Sequence, residues 1–247
     1  MINIFSSNYL SRKPIDLAMK NFAKKFDKDK KILDIGCGNK PYKKYFNCKY
    51  IGLDPIKETD ADIIANSWSI PAANNEYDGI ILNQSLEHIE RINETIVEIK
   101  RILKPGGYCI ITVPQTMKNH SNPIPSRNIE LNNFDKNKIK YWHIDYYRFT
   151  KFGLIYLFRD FQIIEIKETN GYLSTIFQLI NYFFSSFGMN LIFSPIFFIN
   201  NIAGILLDTF FNALGLIRIE IFQKFKHLIY TSLTLNYILI LKNNDKK

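Results

Sequence analysis

The stretch Lys31-Ile32-Leu33-Asp34-Ile35-Gly36-Cys37-Gly38-Asn39 decides the fold of this 247-residue chain. The apolar run 31–35 reads as a short buried strand that carries a carboxylate, Asp34, near its end and passes into a turn with two glycines. Glycine serves where the backbone turns sharply or approaches a ligand closely, so Gly36, Cys37 and Gly38 mark a ligand-binding loop. A short basic helix over 40–47 and a second strand over 49–53, ending at Asp54, complete a βαβ unit. Asp54 lies 18 residues after Gly36, where a carboxylate accepts both hydroxyls of a ribose. Pro41 stands where a G-x-G-x-x-G fingerprint needs Gly or Ala, which argues against a nicotinamide or flavin dinucleotide.

Working outward, helical spacing over 15–26 predicts a helix before this unit, with Pro14 in its first turn. After it come a weak third strand over 62–65, a clearer fourth over 77–83, and an amphipathic helix over 91–103. A fifth strand over 107–113 follows the Lys104-Pro105-Gly106-Gly107 turn. Residues 114–140 are polar and aperiodic and read as a long connection. A helix over 151–159 with Thr150 as its N-cap, a strand over 161–167 and a last strand over 234–242 complete the series. Strands alternating with helices predict an α/β, doubly wound, mostly parallel seven-stranded sheet with helices on both faces. The expected domain is 1–168 with 231–247, interrupted by an apolar helical insertion over 169–230 before the last strand.

The run Leu33–Tyr42 and the Asp of Tyr50–Pro55 resemble the opening motif and the ribose-binding acid of the class I S-adenosylmethionine-dependent methyltransferases. Residues 65–71, 76–89 and 99–114 are similar to the adenine-contact loop, fourth strand and fifth strand of the small-molecule branch, so the resemblance covers about 28–114. It implies a Rossmann-like fold and S-adenosyl-L-methionine as cofactor. Gly36, Cys37 and Gly38 would pass its methionine part, Asp34 would hold the amine, Asp54 the ribose, and Asn66 and Ser67 the adenine edge, with Asn83 completing the set. The family usually has a further glycine near Lys40 and an aspartate where Asn66 stands; an Asn oxygen still accepts from the adenine amino group. The Asn/Asp-Pro-Pro-aromatic run of enzymes that methylate base or glutamine nitrogens is absent after the fourth strand, where Asn83-Gln84-Ser85-Leu86 stands. Glu87-His88 reads there as a helix start and pocket wall, with His88 also a candidate base.

Trp142-His143-Ile144-Asp145-Tyr146-Tyr147-Arg148-Phe149-Thr150 resembles an element of methyltransferases associated with cell-envelope polysaccharides. On one reading, His143 takes a proton from a substrate hydroxyl and Asp145 orients it, while Tyr147 and Arg148 bind substrate, the guanidinium on an anionic group such as a diphosphate. On the other, Asp145 and Arg148 form a salt bridge that latches the connection.

Three cysteines (Cys37, Cys48, Cys109) fit neither a zinc site nor a disulfide scaffold, so a reducing cytoplasmic compartment and no metal are expected. The first fifteen residues lack the apolar core of a secretory signal, and export is not expected. The net charge of +9 points to an anionic partner, although abundant Ile, Asn, Lys, Phe and Tyr read as codon bias that accounts for part of it. No RNA-binding module is visible, and nucleic acid is not expected. Residues 169–207 hold no charged side chain. A transmembrane span over 189–207 is disfavoured by Pro195, Asn200 and Asn201 and by the strand that must return to the sheet. The segment is expected to cap the site, form a homodimer interface, or dock in the plane of a membrane with help from Lys224 and Lys226. Together these readings describe a cytoplasmic methyltransferase, peripheral on the inner face of the cell membrane in the docking case, that acts on a small or lipid-linked acceptor. The favoured acceptor is a sugar hydroxyl of an envelope glycan precursor. A quinone or other lipid methyltransferase and a non-catalytic S-adenosylmethionine-binding scaffold are the alternatives.

Overall fold

The structure, a computed structural model, describes residues 2–119, 144–216, 220, 223–224 and 233–244. Seven strands form one sheet: β1 (Lys31–Ile35), β2 (Lys49–Asp54), β3 (Ile63–Ile64), β4 (Tyr77–Asn83), β5 (Leu103–Pro114), β6 (Gln162–Glu168) and β7 (Asn236–Lys242). Their order is β3-β2-β1-β4-β5-β7-β6, with β7 antiparallel to both neighbours and the other pairings parallel. The expected doubly wound, mostly parallel sheet is present.

Because side chains alternate across a strand, neighbouring residues feed opposite cores. Ile32, Ile81, Ile110 and Ile238 pack against α1 (Tyr9–Ala23) through Ile15, Met19 and Phe22. Leu33, Ile80, Ile111 and Leu239 pack against Ile96 and Ile99 of α2 (Ile92–Ile102) and Leu154 of α3 (Lys151–Leu157). Thr150 caps α3 as expected, its hydroxyl accepting the Gly153 N–H (3.1 Å).

Two local expectations are corrected. The first helix starts at Tyr9, not near residue 15, which places Pro14 inside it. A proline there cannot donate to the Leu10 carbonyl; the Asn170 side-chain amide does so instead (3.0 Å), and the helix continues. The basic stretch 40–47 forms only a single 3-10 turn, Lys43–Tyr45, too short to propagate an α-helix.

Between β6 and β7 lie α4 (Tyr172–Ser185) and α5 (Ser194–Leu214), packed on each other and on α1. Their polarity is inverted. The residues they bury include Ser174, Thr175, Gln178, Asn181, Asn200 and Asn201, while Phe183, Ile199, Leu206 and Phe210 are more than half exposed, and Leu191 at the tip between the helices is 87% exposed. The inward amides bolt the pair to the N-terminal segment. Asn201 donates to the carbonyls of Ile4 (2.6 Å) and Ser6 (3.1 Å), Asn181 donates to Asn201 (2.9 Å), and Gln178 donates to the Ser7 carbonyl. Asp208 of α5 accepts three backbone N–H groups at the start of α4, from Gly171 (2.9 Å), Leu173 (3.2 Å) and Ser174 (3.3 Å). The insertion leaves and rejoins the sheet at one place: Glu168 pairs with Tyr237, and the Thr169 N–H donates to the Asn236 carbonyl (3.0 Å).

Candidate functional site

The loop after β1 is fixed by its own backbone. The N–H groups of Gly36 and Cys37 both donate to the Leu53 carbonyl (2.8 and 3.1 Å), which folds the chain back over the end of β2. The Gly38 N–H donates to Asp54 Oδ2 (3.1 Å), and Asp54 Oδ1 accepts from Ile56 N–H (3.0 Å). Both glycines have positive φ, +71° and +48°. A Cβ at Gly36 would stand 2.4 Å from Ser85 Oγ, whereas one at Gly38 would meet nothing within 4 Å. Lys40, where the family usually has glycine nearby, also takes a positive φ (+47°), and its ammonium pairs with Asp62 (2.6 Å).

A cleft of about 1080 Å³ opens over this loop, and its lining includes Gly36, Gly38, Asp54, Asn66, Ser67 and Asn83. Six of the expected cofactor residues therefore line one cleft. Ser67 Oγ is bonded to Thr95 (2.9 Å), and Asn83 Oδ1 accepts from the Thr112 hydroxyl (2.7 Å). Asp34 and Cys37 stand behind the loop, outside that lining. Asp34 accepts the Tyr50 hydroxyl, and burial pushes its carboxyl up to about 7. Burial likewise pushes the Cys37 thiol up to about 12, which leaves it no nucleophilic character at neutral pH.

The segment 144–150 is held down on the same end of the sheet. Tyr146 and Tyr147 N–H groups donate to the Glu87 carbonyl (2.9 and 3.3 Å), and Phe149 N–H donates to the Pro114 carbonyl (3.3 Å). Arg148 forms a bidentate ion pair with Asp145 and also reaches the Lys118 carbonyl (3.4 Å). This is the latch geometry; Asp145, Tyr147 and Arg148 do not line the cleft. Trp142 and His143 lie outside the described residues.

His88 does line the cleft, and Nδ1 sits 2.8 Å from the Ile144 carbonyl. A carbonyl can only accept, so Nδ1 is the protonated nitrogen in this contact. Beside it, Glu87 is fully buried, with no hydrogen bond to either carboxyl oxygen and with Nε2 of His88 3.9 Å away. Burial, reinforced by the Asp145 charge, raises its carboxyl to about 8.

Further lining residues were not anticipated. They include Asn8, Ser11, Arg12, Tyr42, Lys118 and Tyr182, drawn from the start of α1, the turn before 43–45, the chain after β5, and α4. Arg12 precedes the expected start of the first helix near residue 15; the i,i+4 spacing of Arg12 and Asp16 is the signal that one helix carries both. Tyr182 is marked only by its place beside the polar stripe Ser174, Gln178 and Asn181.

A sequence profile described as a methyltransferase domain matches residues 7–172. An uncharacterized protein of Methanocaldococcus jannaschii is 37% identical over 89 residues, a match that spans 33% of this chain and 43% of that relative's length. Among solved structures, phosphoethanolamine N-methyltransferase 2 of Haemonchus contortus, in complex with S-adenosyl-L-methionine, superposes with a TM-score of 0.53 at 16% identity. It covers 94% of this chain and 52% of that one. A SAM-dependent methyltransferase of Archaeoglobus fulgidus gives a TM-score of 0.51 at 15% identity and covers 94% of each chain. At these identities the two structures share a fold with the present chain.

Proposed function

The chain belongs to the methyltransferase-domain family, and from that premise we propose that it methylates a hydroxyl of a lipid-linked sugar, a precursor of the cell-envelope glycan, at the inner face of the membrane. The observation that carries the lipid-linked reading is the inverted polarity of α4 and α5. A helix pair that buries amides and exposes Phe183, Leu191, Ile199 and Phe210 presents its apolar face to something other than water. The same α4 sends Tyr182 into the cleft, so the apolar face and the acceptor site are parts of one element. By length and composition α5 could cross a bilayer, yet its inward Asn200, Asn201 and Asp208 bind it along the protein, which favours docking in the membrane plane. Lys224 is paired with Glu220 (2.7 Å), and Lys226 lies outside the described residues, so neither supports the docking. The sugar rests on the resemblance of residues 142–150 to polysaccharide-pathway methyltransferases.

The cleft fits the cofactor: Asp54 is locked by two backbone N–H groups and presents fixed carboxylate oxygens, and Gly38 leaves open the space a Cβ would fill. S-adenosylmethionine supplies a methyl group on a sulfonium, transferred by in-line displacement. Asp54 would hold the ribose, Asn66 and Ser67 would flank the adenine, and Gly36, Gly38 and Asn83 would line the path of the methionine part. Asp34 ties β1 to β2 through the Tyr50 hydroxyl. A sugar hydroxyl needs a base as it attacks, and His88, which lines the cleft and is oriented by the Ile144 carbonyl, would take that proton.

The test is incubation with methyl-labelled S-adenosylmethionine and polyprenyl-linked saccharides, quinones or neutral lipids in parallel. Label in the saccharide fraction, lost in Asp54→Ala and strongly reduced in His88→Ala, is the expected result. Label confined to quinones, or none from a folded protein that still binds S-adenosylhomocysteine, overturns the acceptor.

A further inference from the structure

We infer that the part of the cleft lined by Arg12, Lys118 and Tyr182 is an anion subsite, and that it holds a phosphate or diphosphate ester of the acceptor. The inference rests on the reading above and narrows its acceptor class. The role expected of Arg148 cannot be filled by Arg148, whose guanidinium is taken by Asp145 and by the Lys118 carbonyl. Arg12 has no side-chain hydrogen bond or ion pair among the described residues and lines the cleft from α1. Lys118 Nζ lies 5.6 Å from the centre of the Tyr182 ring. Burial raises the Tyr182 hydroxyl, partly offset by its bond to Ser11 and by the positive charge of Arg12, which lines the same cleft.

The charge balance agrees. The cleft is lined by Arg12, Lys44 and Lys118 against two carboxylates, Asp16 and Asp54. Asp54 belongs to the cofactor side, and Asp16 Oδ1 accepts the Tyr45 hydroxyl (2.6 Å). The lining around Tyr182 is left cationic, with its hydroxyl as a neutral polar group beside the two charges. A guanidinium binds two phosphate oxygens at once and an ammonium adds a point charge, the combination suited to a phosphate ester. On α4 the buried Tyr182 is followed by the exposed Phe183, so one helix carries both a cleft residue and part of the apolar surface.

Calorimetric titration with inorganic pyrophosphate, with and without S-adenosylhomocysteine, tests this. Wild type is expected to bind one equivalent, and the Arg12→Ala/Lys118→Ala variant at least tenfold more weakly, with Arg12→Lys recovering part of the loss and S-adenosylhomocysteine affinity unchanged. No stoichiometric binding by wild type, or equal binding by the double variant, overturns the subsite. Competition separates the sources of the phosphate: displacement by vesicles carrying polyprenyl phosphate supports the lipid-linked acceptor. Displacement by soluble sugar phosphates alone keeps the subsite and refutes the lipid linkage. Failure to bind S-adenosylhomocysteine would count against the methyltransferase reading independently of both.

Discussion

A methyl group added at Gly36 and one added at Gly38 meet different surroundings and separate stability from binding. Gly36→Ala forces a Cβ at positive φ to within 2.4 Å of Ser85 Oγ. It is expected to cost about 1–3 kcal/mol and to lower the melting temperature. Gly38→Ala meets no neighbour within 4 Å, so its cost is the left-handed backbone alone, about 1–2 kcal/mol. Its Cβ enters the cleft, so it is expected to weaken S-adenosylhomocysteine binding more than it lowers the melting temperature. Glu87 supplies a pH signature. Its carboxyl rises from 4.5 to about 8 on folding, so between those values the folded chain keeps a proton that the unfolded chain releases. Stability contributed by this group therefore falls as pH climbs through that window, and Asp34, raised to about 7, acts in the same direction. The melting temperature of Glu87→Gln relative to wild type is expected to increase from pH 4.5 to 8 and level off above; a flat difference would contradict the assignment. Gly36, Gly38 and Asp54 were legible because a turn and a carboxylate at a strand end announce themselves locally. Arg12 and Tyr182 were not, because they meet only after the N-terminal segment is tied to α4 by amide bonds between residues more than 150 positions apart.

At the scale of elements, α4 begins without a cap of its own, since Gly171 has no side chain to offer, and Asp208 supplies one from α5. Asp208→Ala is expected to cost about 2–4 kcal/mol by urea unfolding, since several buried amides lose a charged acceptor, with Asp208→Asn intermediate. The strands around the glycine loop were readable almost to the residue, because 31–35 and 77–83 are apolar runs bounded by polar or turn residues. The start of α1 was not, because Pro14 looks like a helix beginning until Asn170 is seen to satisfy the carbonyl it leaves free. Nor could a sequence with Asp208 as its one charged residue reveal the inverted polarity of α4 and α5: which side of such a helix is buried is settled by where its amides find partners.

For the whole molecule, the proposed docking would draw on both the charge of +9 and the apolar face at an anionic bilayer. Sedimentation with phosphatidylglycerol vesicles is expected to recover the protein, less of it as salt screens the charge, with a residue of binding that salt does not remove. Recovery at no salt concentration, together with a dimer in sedimentation equilibrium, would assign the face to a second copy of the chain.

The insertion enters and leaves through adjacent positions of an antiparallel pair, Glu168 beside Tyr237, with Thr169 and Asn236 joined by their backbones. Topologically it is an overgrown hairpin turn. Such a cassette can be shortened, lengthened or exchanged without rethreading any strand, since both of its ends are already held at the closing distance. Because the same cassette carries both Tyr182 of the cleft and the exposed apolar face, on the proposed reading grafting it onto another scaffold of this fold would transplant acceptor choice and cellular address in a single step, while the glycine loop and Asp54 stayed behind with β1 and β2.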